Sequence, residues 1–75
     1  MNELLLSVVR YLESLGFQKS THNPSDYSMF KNNKQINLDS NGRCAMFLDT
    51  KHICSVSAVE ILMQENKLLN YFLTT

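Results

Sequence analysis

Three short runs of strand-forming residues follow one another in the middle of the chain, separated by residues that favour tight turns. The runs span residues 27–31, 34–39 and 43–48, and the separators are Asn32-Asn33 and Ser40-Asn41-Gly42. Connections of two or three residues join neighbouring antiparallel strands. The spacing therefore predicts an antiparallel meander of three strands, and residues 52–56 are a candidate fourth strand.

The register of the second hairpin decides which side chains of this meander are buried. A two-residue turn at Asn41-Gly42 would direct Ala45 and Phe47 to the apolar face, whereas a three-residue loop with Gly42 left-handed would direct the alternate set there. We favour the three-residue loop because it gathers seven apolar side chains on one face. These are Tyr27, Met29, Ile36, Leu38, Cys44, Met46 and Leu48.

Helices are predicted at both ends of the chain. Residues 2–15 carry apolar side chains at helical spacing, with Asn2 as N-cap, and Gly16 followed by Phe17 is typical of a Schellman ending. A second helix is predicted over residues 58–73, because Ser57 and Glu60 have the spacing of a capping box. Its apolar stripe is Ala58, Ile61, Leu62, Leu68, Leu69, Phe72 and Leu73.

Glu65 falls near the middle of that apolar stripe. A carboxylate in such a place needs an ionic partner, must stay protonated or must reach the edge of the stripe. We expect a structural contact with Arg10, a histidine or backbone donors, and an acid–base or partner-binding role is the alternative.

The predicted architecture is a single α+β domain over residues 1–75, in the order α-β-β-β-(β)-α. Three or four strands make a sheet about 14–19 Å wide. Two helices about 10 Å apart cover that width. Both helices should therefore pack on one face as a two-layer sandwich, and no element remains to cover the other face.

The uncovered face is the first candidate binding surface. Phe30 and Phe47 fall on either side of Gln35 there, with Asn37 and Arg43 beside them. Aromatic residues within a polar patch are typical interface anchors. The alternative is a register slip that buries one of the two rings, or a fold that buries both.

A second candidate surface lies on the last helix. Val59, Met63 and Tyr71 fall outside its apolar stripe. A domain of this size leaves apolar surface uncovered, so Met63 and Tyr71 are predicted to contact a partner or a second copy of the chain. Ordinary isolated exposure is the alternative.

Charge and composition exclude several function classes. Seven basic and seven acidic residues give a net charge of zero, which disfavours nucleic-acid binding. No apolar run is long enough to span a membrane, and the N-terminus lacks a signal-peptide pattern. Two cysteines are too few for a small secreted scaffold, so reduced thiols in the cytoplasm are expected.

No motif for a cofactor or a catalytic reaction stands out. The two glycines of the chain do not form a phosphate-binding loop, and no cofactor is expected. Cys44, His52 and Cys54, with His22, lack the closely spaced ligand pair of structural zinc sites, so no metal site is predicted. A Cys nucleophile with His52 and Asp49 lacks any oxyanion site.

These observations predict a non-enzymatic protein–protein interaction module. Its expected role is that of a small inhibitor or regulator of a larger protein, for example an anti-defence protein of a phage or mobile element, with a homodimer as a further possibility. The alternative is a module for RNA or single-stranded nucleic acid that uses the same face with Lys31, Lys34 and Arg43. A thiol or zinc protein centred on Cys44, His52 and Cys54 is a third hypothesis.

Overall fold

A computed structural model describes residues 3–19 and 27–75 of the chain. Its elements, in chain order, are α1 (Glu3–Ser14), β1 (Gln18–Lys19), β2 (Tyr27–Lys31), β3 (Lys34–Leu38), β4 (Arg43–Leu48), β5 (Lys51–Ser57), α2 (Ala58–Met63) and α3 (Lys67–Thr74). The strands form one antiparallel meander in the order β1-β2-β3-β4-β5. The α+β class is confirmed.

The two central hairpins have the predicted registers. Lys31 pairs with Lys34 across a two-residue turn in which Asn32 is left-handed, with a φ of 55°. Leu38 pairs with Cys44, and the Asp39 N–H donates to the Arg43 carbonyl at 3.1 Å, which leaves the three-residue loop Ser40-Asn41-Gly42. Gly42 has a φ of 81° in this loop. Both loops match the twist of antiparallel strands, and the second confirms the three-residue alternative.

The first helix ends as its sequence predicts. The Phe17 N–H donates to the Leu12 carbonyl and the Gly16 N–H to the Glu13 carbonyl, each at 3.0 Å. These are the two hydrogen bonds of a Schellman motif, and Gly16 adopts the positive φ of 101° that the motif requires. Leu4 shares the helical spacing of the buried side chains, but it lies in the first turn of the helix and is 37% exposed.

The predicted single helix over residues 58–73 is wrong, because two helices occupy this segment. The α2 helix ends at Gln64, which is left-handed with a φ of 58°. The α3 helix begins at Asn66, whose side-chain oxygen accepts the Leu69 N–H at 3.0 Å as an N-cap. The Asn70 amide also donates to the Gln64 carbonyl at 2.6 Å, which joins the two helix ends.

The break between the helices changes which side chains face solvent. Glu65 lies in the connection and is exposed, and among the described residues no hydrogen bond or ion pair joins its carboxylate to Arg10, a histidine or a backbone donor, although such a contact was expected. Leu68 was expected in the buried stripe, but it is 84% exposed. Both departures follow from the break, because the phase of α3 is not continuous with that of α2.

The hydrophobic core lies between the helices and one face of the sheet. Its buried side chains are Leu5, Val8, Val9, Leu12, Phe17, Met29, Ile36, Leu38, Cys44, Met46, Ala58, Ile61, Leu69 and Leu73. Helices on one face and a meander beneath them make the predicted two-layer sandwich, with three helices in place of two. Tyr27 and Leu48, also expected on this face, are half-buried.

The sheet extends beyond the predicted meander at both sides. Residues 18–26 consist of turn-forming residue types, which favour a surface loop. Gln18–Lys19 nevertheless pairs with β2 as a short edge strand, and residues 20–26 lie outside the described part. The candidate fourth strand forms and spans Lys51–Ser57. A bulge interrupts this strand, because Met46 pairs with Cys54 and Phe47 with His52, which leaves Ile53 unpaired.

Candidate functional site

The open face of the sheet carries two rows of side chains that cross the strands at right angles. Strand pairing aligns Phe30 with Gln35, Gln35 with Phe47 and Phe47 with His52, and we call these four residues the aromatic row. The same pairing aligns Ser28, Asn37, Ala45 and Ser55, which we call the small row. The two rows are about 7 Å apart, since their members are two residues apart along β2, β3 and β4; on β5 they are three residues apart because of the bulge.

The aromatic row forms a ridge on this face. Phe30 is 39% exposed and Phe47 is half-buried, with Gln35 between them in register. The His52 ring packs against Phe47 edge to face, with 5.3 Å between ring centroids. This packing restricts the orientation of the Phe47 ring. A ring that is already oriented loses little side-chain entropy when it binds, which favours its use as an interface anchor.

Hydrogen bonds between side chains connect the two rows. The Ser28 hydroxyl and the Gln35 amide both donate to Asn37 Oδ1, at 2.9 and 2.7 Å. His52 Nε2 and Ser55 Oγ lie 2.9 Å apart. These bonds orient the polar side chains of the two rows relative to one another.

A furrow of about 420 Å³ lies along the small row. The small row forms its floor, and Asp39 and Arg43 line it as well. The Asp39 carboxylate accepts the backbone N–H groups of Asn41 and Arg43, at 2.8 and 3.1 Å, and so shapes the β3–β4 loop. The Arg43 guanidinium is exposed, and no described carboxylate forms an ion pair with it, so it remains available to a partner.

The seven predicted site residues lie on two separate surfaces. Phe30, Gln35, Asn37, Arg43 and Phe47 are together on the open face, as the register requires. Met63 and Tyr71 are 54% and 70% exposed on the helix layer, which covers the opposite face of the sheet.

Four residues of the two rows were not among the predicted site residues. Ser28 and Ala45 lie where the predicted register places them, and the two others that share the open face are His52 and Ser55. They reach it because the bulge at Ile53 shifts the alternation of β5 between them. The pairing of residues 52–56 with the strand before them could have indicated Ser55, but nothing in the sequence marks the bulge.

The residues of the thiol or zinc hypothesis do not converge. Cys44 is fully buried on the helix side, whereas His52 lies on the open face. Burial raises the pKa of the Cys44 thiol to about 12, and the Asp39 carboxylate adds to the rise. Cys54 is exposed and His22 lies outside the described residues. Within residues 3–19 and 27–75, no three potential metal-binding side chains form a cluster.

Comparisons with protein-family models, with curated proteins and with solved structures found no significant match for this chain. In the described part of the chain, no helix has both the length and the hydropathy needed to cross a membrane. The function must therefore be argued from the geometry of the open face.

Proposed function

We propose that this chain is a non-catalytic protein-binding module, a small inhibitor or regulator of a larger protein, and that it docks through the open face. The observation that carries the proposal is that the aromatic row lies beside a furrow, on a sheet face that no described element covers. Rigid aromatic anchors beside a concavity are typical of protein-binding surfaces.

The polar groups of this face favour a protein partner over a nucleic acid. Amide, hydroxyl and imidazole groups line it, and Arg43 is its cation. The nucleic-acid alternative also needs Lys31 and Lys34, but both point to the helix side. Lys34 Nζ donates to the Phe72 carbonyl, and the Lys31 side chain lies against Gly16. Few phosphate contacts are therefore available, and affinity for nucleic acid depends on their number.

The proposal is tested by finding the partner and measuring its affinity for surface variants. Cross-linking in the native host and mass spectrometry identify the partner, and titration calorimetry with the purified partner gives the dissociation constant. The Phe30→Ala/Phe47→Ala variant should bind at least about 2 kcal/mol more weakly, or about 30-fold, because it removes both anchors.

A matched control is available on the helix layer. Met63→Ala/Tyr71→Ala also removes two exposed apolar side chains, and it should bind as the wild type does. Circular dichroism and thermal unfolding show whether each variant is folded. Full affinity in a folded Phe30→Ala/Phe47→Ala variant, or loss confined to the Met63→Ala/Tyr71→Ala variant, would refute docking through the open face.

Salt dependence separates the two classes of partner. A protein partner held by aromatic anchors should bind with an affinity that changes little between low and physiological salt. A nucleic acid loses affinity steeply, with a slope set by the number of neutralised phosphates. A steep slope with single-stranded RNA or DNA would replace the proposal with the nucleic-acid alternative.

A further inference from the structure

The β5 strand leaves one edge of the sheet unpaired, and it is a different surface from the open face. No described strand pairs with its outer side, and residues 51–55 are all exposed. An unpaired edge presents backbone N–H and C=O groups, so its natural occupant is another extended strand.

Hydrogen bonds elsewhere in the sheet show which groups of β5 point outward. The Arg43 carbonyl accepts the Asp39 N–H, so the backbone of Arg43 faces β3. Backbone directions alternate along a strand, so Cys44 faces β5 and its partner Val56 faces back to β4. The Ala58 N–H donates to the Gly42 carbonyl, as expected if residues 56 and 58 face β4 and residues 42 and 44 face β5. The N–H and C=O of Ser55 therefore point away from the sheet.

The helix side of this edge is apolar. The bulge places Ile53 beside Cys54, so that both line a groove of about 210 Å³ between β5 and α3. We call this the edge groove, and its lining residues are Met46, Ile53, Cys54, Val56, Asn66, Leu68, Leu69 and Phe72. Ile53 is 48% exposed and Leu68 is 84% exposed. Apolar side chains beside an unpaired edge are the combination that natural edge strands usually avoid.

We propose that the occupant is a second copy of this chain, with the two β5 strands antiparallel and Ser55 opposite the Ser55 of the other copy. This register lets the two Ser55 residues exchange two backbone hydrogen bonds. It also places Val56 opposite the Cys54 of the other copy, so that the two edge grooves meet on the helix side. The sheet then continues through both copies.

Charge favours a second copy in this register. The β5 strand contains no acidic residue, and Lys51 lies at the end of the strand away from α2. Antiparallel pairing carries Lys51 towards the first turn of α2 in the other copy, where Glu60 is the charged residue. Lys51 of one copy and Glu60 of the other are opposite in sign, and their attraction favours this register.

The size of the edge sets the expected strength. In this register residues 53–57 of the two strands lie opposite each other, which is about 17 Å of strand. A contact along so short an edge is smaller than the roughly 800 Å² per partner of a standard interface. The bulge at Ile53 also ends regular pairing there. We expect a dimer that dissociates at micromolar concentrations.

Analytical ultracentrifugation of the purified chain from about 1 µM to about 1 mM tests the proposal. The mass should rise from the 8.6 kDa of one chain towards twice that value. Ile53→Lys should raise the dissociation constant at least about tenfold, because it places a charge in the edge groove. Leu6→Lys, which changes an exposed leucine on α1, is the matched control and should dimerise normally.

Disulfide trapping tests the register independently of the charge substitution. In a Cys54→Ser background, Ser55→Cys places two thiols opposite each other with Cα atoms about 5.5 Å apart, within the range of a disulfide. His52→Cys in the same background places its thiols about 20 Å apart along the strands. Mild oxidation should therefore cross-link the Ser55→Cys variant at least about tenfold faster, as measured on non-reducing gels.

Each contrary result overturns the proposal. A wild-type chain that stays at 8.6 kDa at all concentrations excludes self-association. Equal dimerisation of Ile53→Lys, or equal loss with Leu6→Lys, excludes the edge as the interface. Equal cross-linking rates for the two cysteine variants exclude the register. None of these measurements involves a partner of the open face, so the two proposals succeed or fail separately.

Discussion

Lys34 joins the sheet to the end of the last helix, and replacing it with methionine should weaken that connection. It lies on the helix side of β3 and is only 8% exposed. Its Nζ donates to the Phe72 carbonyl at 2.5 Å and to Thr75 Oγ1 at 2.8 Å. A cation that binds the carbonyls of a helix C-terminus also interacts favourably with the helix dipole.

The expected loss follows from these contacts. Lys34→Met keeps the apolar stem of the side chain but removes both hydrogen bonds, each worth about 1.5 kcal/mol or more because the donor is charged. Part of this is regained, because the ammonium no longer has to be taken out of water. We expect a net loss of about 1–2 kcal/mol in the free energy of unfolding, or roughly 4–16 °C in Tm for a domain of this size. Urea unfolding measures the change, and hydrogen exchange should show faster opening near Phe72.

The effect of Lys34→Met on the free energy of unfolding should depend on pH, because the charge of Lys34 depends on pH. Burial lowers the pKa of Lys34 below its ordinary 10.5, and the positive charge of Lys31 lowers it further. Between the lowered pKa and 10.5 the unfolded chain binds more protons than the folded chain, so this group makes stability rise with pH. The stability difference between wild type and Lys34→Met should therefore grow as the pH rises towards 10.5.

Two results would refute this account of Lys34. If the difference shrinks as the solution becomes alkaline, the hydrogen bonds outweigh burial and the pKa is raised instead. If Lys34→Met is as stable as wild type at neutral pH, the two hydrogen bonds contribute nothing beyond the desolvation they require. Other titrating groups are common to both proteins and cancel in the comparison.

Three further predictions concern single residues whose local roles the structure defines. Gly16→Ala should destabilise the fold by about 1 kcal/mol, which lowers Tm by roughly 4–8 °C. The cause is backbone strain, because φ is 101° at this position, whereas an added Cβ would meet nothing closer than Lys31 Cε at 3.5 Å. An unchanged Tm would show that there is no such strain. Asn66→Ala should cost about 1 kcal/mol in urea unfolding through loss of the α3 N-cap, whereas Asn66→Ser should retain most of the stability. A thiol reagent should label Cys54 in the folded chain and Cys44 only on unfolding, since Cys44 is buried with a pKa of about 12; rapid labelling of both thiols under native conditions would show that the core opens locally.

The meander and its faces were predictable because local turn chemistry sets the register. Asn32 and Gly42 both adopt positive φ, which their residue types tolerate, and each fixes the loop length of its hairpin. Once the loops are fixed, the period of two decides which residues share a face. Phe30 and Phe47 could therefore be placed on the open face from the sequence alone.

Other features depend on contacts that the sequence does not display. Gln64 is left-handed although glycine or asparagine usually occupies such a position, so nothing at Gln64 itself indicated the helix end. Asn66 is a residue type that favours an N-cap, and a new helix beginning there explains why Glu65 is not part of an apolar stripe. The two-residue strand β1 exists through its pairing with Met29 and Phe30, and so it has no local signal of its own.

The helix break can be understood by comparing what each arrangement would bury. One continuous helix would bury Leu68, which contributes about 2 kcal/mol for a leucine, but it would hold Glu65 in the apolar stripe. Burying a carboxylate without a partner costs several kcal/mol, which is more than burial of Leu68 would contribute, so keeping Glu65 in solvent favours the break. The consequence is that Leu68 becomes exposed beside Ile53 on the unpaired β5 edge. The apolar groove at this edge thus originates in the need to keep one charge in water.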